Sequence, residues 1–120
     1  MAYIMTESEY KFAELIWSRE PLASGELVRL CQEVWDWKKS TTYTVLKKLC
    51  IKGILKNEGT IVAAIVSREE YLQLKSEEFL GDNYDGSLPK FLTAFIRRKK
   101  LTRKQIEELR EIINAYEEDK

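Results

Sequence analysis

Apolar positions recur at helical spacing along most of this chain. Phe12, Leu15 and Ile16, with Trp17 beside them, predict a first helix over about residues 6–19. Its start is written in "TESE": Thr6 can accept from the amide of Glu9, and Glu9 can reach back to the amide of Thr6. Pro21 ends it. Leu27, Leu30, Cys31 and Val34 form a second, short stripe, with Ser24 as the expected N-cap and Glu26 in the first turn. "WDW" at 35–37 reads as a tight connection anchored by its aromatics. Thr42, Val45, Leu46, Leu49 and Cys50 then predict a third helix, opened by Ser40 and stopped at Gly53.

The period changes after Gly53. Asn57, Glu58 and Gly59 form a turn signal between two short apolar runs, predicting a small β-hairpin over 54–56 and 60–66. Helical spacing returns with Tyr71, Leu74 and Phe79, capped by Ser67 with Glu70 as its box partner. "GDNYDGS" at 81–87 is expected to be a loop. Ser87 caps a fifth helix with Pro89 in its first turn. Thr102 caps a sixth, with Ile106, Leu109, Ile112, Ile113 and Tyr116 on one side. The expected fold is mostly α with a small β-hairpin. Three helices followed by a hairpin are the winged form of the helix-turn-helix, here over residues 1–80 with a linking helix from about 67. Residues 81–120 make a C-terminal helical arm.

Charge sharpens this picture. The chain of 120 residues has 20 basic and 20 acidic residues and a formal net charge of zero. Yet Lys38, Lys39, Lys47, Lys48, Lys52 and Lys56 stand in a stretch with no acid. A second basic block is Arg97, Arg98, Lys99, Lys100, Arg103 and Lys104, and the tail from Glu107 to Asp119 then carries six acids against only Arg110. Salt screens charges beyond about 8–10 Å, so a partner meets the local charge and not the total. With its apolar stripe turned inward, the third helix shows Ser40, Tyr43, Thr44 and Lys47 outward, flanked by Thr41 and Lys48. Lysines neutralise phosphates, hydroxyls bond phosphate oxygens or base edges, and a tyrosine can pack on sugar or a thymine methyl. Lys38, Lys39, Ser40, Thr41, Tyr43, Thr44, Lys47 and Lys48 are therefore the candidate DNA-binding residues.

The residues also argue against other classes. Histidine is absent, which removes the commonest general base, and no phosphate loop or nucleophile–base pair is present. Cys31 and Cys50 sit singly among apolar residues, as reduced core thiols do, and no zinc spacing surrounds them. The longest apolar run, Ile61 to Val66, is far too short to span a membrane, and the first residues lack a signal-peptide pattern. The expectation is a cytoplasmic non-enzyme without metal or cofactor.

The arm carries more large apolar residues than two helices can bury: Leu88, Phe91, Leu92, Phe95, Ile96, Leu101, Ile106, Leu109, Ile112 and Ile113. A second copy of the chain could cover them, and its two-fold symmetry would mirror a palindromic operator.

The stretches "ESEYKFAELIW", "WDWKKSTTYTVLKKLCIKGIL", "VSREEY" and "LTRKQIEELREIINAYEE" resemble, in that order, the BlaI/MecI penicillinase-repressor family. The family pattern W-x-x-x-T-x-x-T-x-L-x-[RK]-L-x-x-K-G is matched by Trp37, Thr41, Thr44, Leu46, Lys48, Leu49, Lys52 and Gly53. The resemblance implies a homodimeric repressor of a palindromic operator. In its antibiotic-resistance members a membrane β-lactam sensor, or a protease it activates, triggers cleavage of the dimerisation region and frees the promoter. Their scissile Asn-Phe bond corresponds here to Ala94–Phe95, which keeps the Phe and not the Asn. Tyr43 stands where they often carry Arg, and the hairpin is shorter, with alanines in place of tyrosines. Copper-responsive relatives carry C-terminal Cys-x-Cys motifs, and no cysteine follows Cys50 here. The competing expectation is a winged module that binds protein and not specific DNA.

Overall fold

A computed structural model describes residues 4–119. The elements run α1 (Glu7–Arg19), β1 (Leu22–Ala23), α2 (Ser24–Trp35), α3 (Lys39–Ile51), β2 (Leu55–Glu58), β3 (Ile61–Ala64), α4 (Arg68–Tyr84), α5 (Leu88–Arg98) and α6 (Arg103–Glu118). The chain divides into two compact units between Ser76 and Glu77, inside α4.

The first unit is a winged helix. Phe12, Ala13 and Ile16 of α1, Leu27 and Cys31 of α2, and Leu46 and Leu49 of α3 close a core that is almost inaccessible to water. Leu55 and Val62 close it from the sheet side. The capping box at Thr6 forms as its sequence predicts, with both reciprocal hydrogen bonds present. Ser67 and Glu70 open α4 in the same way. Two long-range bonds tie the unit together: Trp17 Nε1 donates to the Val66 carbonyl at 3.0 Å, and the Met5 amide to the Tyr71 hydroxyl at 3.1 Å.

The sheet departs from the expected hairpin in two respects. It has three antiparallel strands in the order β1-β3-β2, with Leu22 opposite Val62 and Leu55 opposite Ala64. The turn is Gly59-Thr60, not 57–59; both residues have positive φ (56° and 66°), as a tight two-residue hairpin requires. Asn57 and Glu58 are paired strand residues, opposite Val62 and Ile61. The added strand also explains why Ser24 is not the N-cap of α2. Its amide donates to the Thr60 carbonyl at 2.8 Å, so the extended path continues through Ala23, which occupies the cap.

The second unit holds the end of α4 with α5 and α6. Here α4 runs through Gly81, Asp82 and Asn83 to Tyr84, where a loop was expected. The extra turn brings Tyr84 edge-on to Phe91 at 5.5 Å, beside Phe79 at 5.9 Å. Asp85 and Gly86, both with positive φ, then end the helix, and the Gly86 amide returns to the Leu80 carbonyl at 2.8 Å. Ser87 caps α5, and Thr102 caps α6 through a capping box with Gln105. Neither α5 nor α6 has a buried residue.

Candidate nucleic-acid interface

The position of α3 is set at its entry by the "WDW" turn. Asp36 adopts a left-handed conformation (φ 57°) and its amide closes α2 on the Gln32 carbonyl. Trp37 stacks on Phe12 of α1 at 5.9 Å, and Trp35 lies 5.0 Å from Trp37. This anchorage starts the helix two residues earlier than Ser40 predicts: Lys38 occupies the cap, without a side-chain bond, and Ser40 lies in the first turn. Thr42, Leu46 and Leu49 face inward, with Val45 half-buried beside them. The buried Thr42 hydroxyl donates to the Lys38 carbonyl at 3.5 Å, and the Cys31 thiol is pushed up by burial, with the Thr42 hydroxyl acting in the opposite, lowering direction. The two cysteines are free; Cys31 is buried as expected of a core thiol, whereas Cys50 is only half-buried.

The outward side of α3 carries the rest. Lys38, Lys39, Ser40, Thr41, Tyr43, Thr44, Lys47 and Lys48 are all exposed. Among the described residues, no carboxylate lies within ion-pair distance of Lys38, Lys39, Lys47 or Lys48. The other two lysines of the acid-free stretch do find acids in the fold. Lys52 pairs with Glu9 at 2.8 Å, and Lys56 with Glu58 at 3.3 Å. Within this stretch the unpaired cations thus lie along α3 and its entry.

The hydroxyl groups are not equivalent. Thr44 donates its proton to the Ser40 carbonyl at 2.9 Å, so its hydroxyl keeps only acceptor capacity for a partner. Ser40 and Thr41 side chains have no hydrogen-bond partner among the described residues and remain free to donate. The Tyr43 hydroxyl reaches the Ser24 hydroxyl at 3.4 Å, so Tyr43 lies across towards the start of α2. That contact is invisible to local pattern, because Ser24 is 19 residues away.

The remaining predicted residues fall in the second unit. Leu88, Phe95, Ile96, Ile106, Ile112 and Ile113 are exposed, and Phe91, Leu92, Leu101 and Leu109 are half-buried. Phe91, Leu92, Phe95, Leu101, Leu109 and Ile112 line an open apolar cleft of about 390 Å³ between α5 and α6. Ala94 and Phe95 are adjacent residues inside α5. Among the described residues there is no cluster of three metal-ligating side chains, and no helix is long and apolar enough to cross a membrane.

The chain is similar to the penicillinase repressor of Bacillus licheniformis, with 24% identity over 120 residues, 97% of this chain and 94% of that protein. It is similar to the methicillin resistance regulatory protein MecI of Staphylococcus aureus, with 25% identity over 116 residues, 93% of this chain and 94% of that protein. The solution structure of the DNA-binding domain of the repressor BlaI superposes with a TM-score of 0.51 at 20% identity. It covers 59% of this chain and 92% of that one, which shows a common fold. The family model described as penicillinase repressor matches residues 5–115, and the chain belongs to that family.

Proposed function

We propose that this chain is a sequence-specific transcriptional repressor that binds a palindromic operator as a homodimer, with α3 in the major groove. The observation that carries this is the two-sidedness of α3. Its inner stripe is sealed in the core, while its outer side offers unpaired lysines, free hydroxyls and Tyr43, with no acid among them. Such a surface attracts phosphate and can address base edges. Tyr43 cannot make the bidentate guanine contact of an arginine, so the preferred operator differs from those of arginine-bearing relatives. The nine large apolar residues on α5 and α6, with Leu101 between the two helices, support a second copy as the partner there, since none of them is fully buried within one chain. Release follows cleavage of the arm at Ala94–Phe95 by a protease under control of a membrane β-lactam sensor.

Footprinting on the upstream region of the protein's own operon, with salt-dependent binding, tests the DNA contact. Binding should weaken steeply with salt, by a slope of about −0.9 per phosphate neutralised. Lys47→Glu with Lys48→Glu should abolish operator binding and leave the dimer intact; survival of binding would show that α3 is not the reading helix. The second reading, a protein-interaction module, takes its support from Ile61 and Ile65, which are exposed on the wing. It predicts binding that ignores salt.

A further inference from the structure

Lys52 differs from the other lysines around α3. Its Nζ lies 2.8 Å from Glu9 Oε1 and 2.8 Å from the Ile4 carbonyl. The Glu9 side chain is only 11% exposed and that of Lys52 31%, so the pair is largely shielded from water. The same Glu9 oxygen accepts from the Thr6 amide at 2.9 Å. The N-terminal cap of α1 and the C-terminal end of α3 therefore form one hydrogen-bonded cluster. Lys52 is also the C-cap of α3, with its amide on the Lys48 carbonyl at 3.0 Å. The chain turns sharply at Gly53 (φ 82°), and the Ile54 amide returns to the Leu49 carbonyl at 3.0 Å. Little slack remains between Lys52 and the core.

We propose that Lys52 is a positioning residue for DNA reading: its bridge to Glu9 and Ile4 fixes the C-terminal end of α3 to α1 and so aims the side that carries Tyr43, Thr44 and Lys47. This rests on the DNA-reading role proposed for α3. At the other end of the helix Trp37 on Phe12 gives the matching anchor. A charge-assisted hydrogen bond is short and directional, so it fixes orientation as well as adding stability. A lysine with two of its three donors held by a carboxylate and a carbonyl, and its charge offset by that carboxylate, is a poorer phosphate ligand, which separates Lys52 from Lys47 and Lys48.

The test uses the full chain with Glu9→Gln, Lys52→Met and Lys52→Arg. Amide hydrogen exchange over the last turn of α3 is measured without DNA. Binding to the footprinted upstream duplex is measured across a salt series. Glu9→Gln and Lys52→Met should each speed exchange at Cys50–Gly53 about tenfold. Each should weaken binding by a similar factor of about ten at every salt concentration, with the slope unchanged. Lys52→Arg, which keeps the bridge, should recover most of both. A phosphate contact gives another pattern: Lys52→Met lowers the slope by about 1 while Glu9→Gln binds normally. That pattern, or unchanged exchange in both Glu9→Gln and Lys52→Met, overturns the proposal. If Lys52→Met does not fold, Glu9→Gln against Lys52→Arg makes the same comparison. If the wild type ignores the duplex, the DNA-reading role of α3 fails, and exchange alone still decides whether the bridge holds the helix.

Discussion

At the scale of single residues, Glu9 serves two structures at once. Burial opposes its charge, but the Lys52 hydrogen bond and charge, with the Thr6 contacts, outweigh that and hold its carboxyl below the usual value. A carboxyl that binds protons less readily folded than unfolded stabilises the fold fully above the unfolded value of about 4.3. That stabilisation fades as pH falls through the lower, folded value. Glu9→Gln should therefore cost about 1 kcal/mol near neutrality. It should also flatten the loss of stability below about pH 4.5 relative to wild type. Urea melts from pH 6 to pH 3 measure this, and parallel curves would assign the acid sensitivity elsewhere. Half of Glu9's role is legible in the sequence. Its box with Thr6 obeys a four-residue rule, whereas its pairing with Lys52, 43 residues away, depends on how α1 and α3 cross. The same holds for Tyr43: its exposure follows from helical period, but its contact with Ser24 needs the fold.

Among elements, helices were more legible than strands. The stripes of α1, α2 and α3 set their own inner sides, because each alternates apolar and polar residues with one period. The wing did not have that advantage. β1 is only Leu22–Ala23 and has no pattern of its own; it exists because β3 offers it an edge. The observed turn differs from the expected one because Asn57 and Gly59 are both turn formers, and register against β3 decides between them. α4 outran its expected end because Tyr84 gains an aromatic contact that Gly81 alone would not predict. The turn itself carries a consequence. Thr60 is β-branched and held at φ 66°, a conformation that suits glycine or asparagine far better. Only its backbone carbonyl is used, by the Ser24 amide. Thr60→Gly should thus stabilise the protein by about 0.5–1 kcal/mol, even after the added freedom of glycine in the unfolded chain. Gly59→Val, at φ 56°, should destabilise it by about 1–2 kcal/mol. Thermal melts of the two variants should move in opposite directions, and a fall in both would place the strain outside the turn.

For the whole molecule, the contrast between the two units matters most. The first has a sealed core of its own, while α5 and α6 bury no residue completely. Burying apolar surface contributes about 25 cal/mol per Å², so the proposed second copy would gain driving force for dimerisation by covering the α5–α6 cleft. Stability should then depend on protein concentration, because a dimer dissociates by mass action. Ile112→Glu with Ile113→Glu leaves the first unit untouched. Those changes should give a monomer by analytical ultracentrifugation that keeps the melting of the winged unit. They should weaken operator binding at least 100-fold, since one half-site alone loses the tethering of the second. Cutting Ala94–Phe95 should have the same effect, because it divides α5 and takes Phe95 and Ile96 from the stripe that includes Phe91 and Leu92. The bond lies within a helix, so a protease reaches it only when α5 opens locally. Co-expression with a cognate sensor protease and exposure to a β-lactam should give two fragments and loss of operator occupancy. An intact chain under those conditions would leave dimerisation standing and remove cleavage at this bond as the release step.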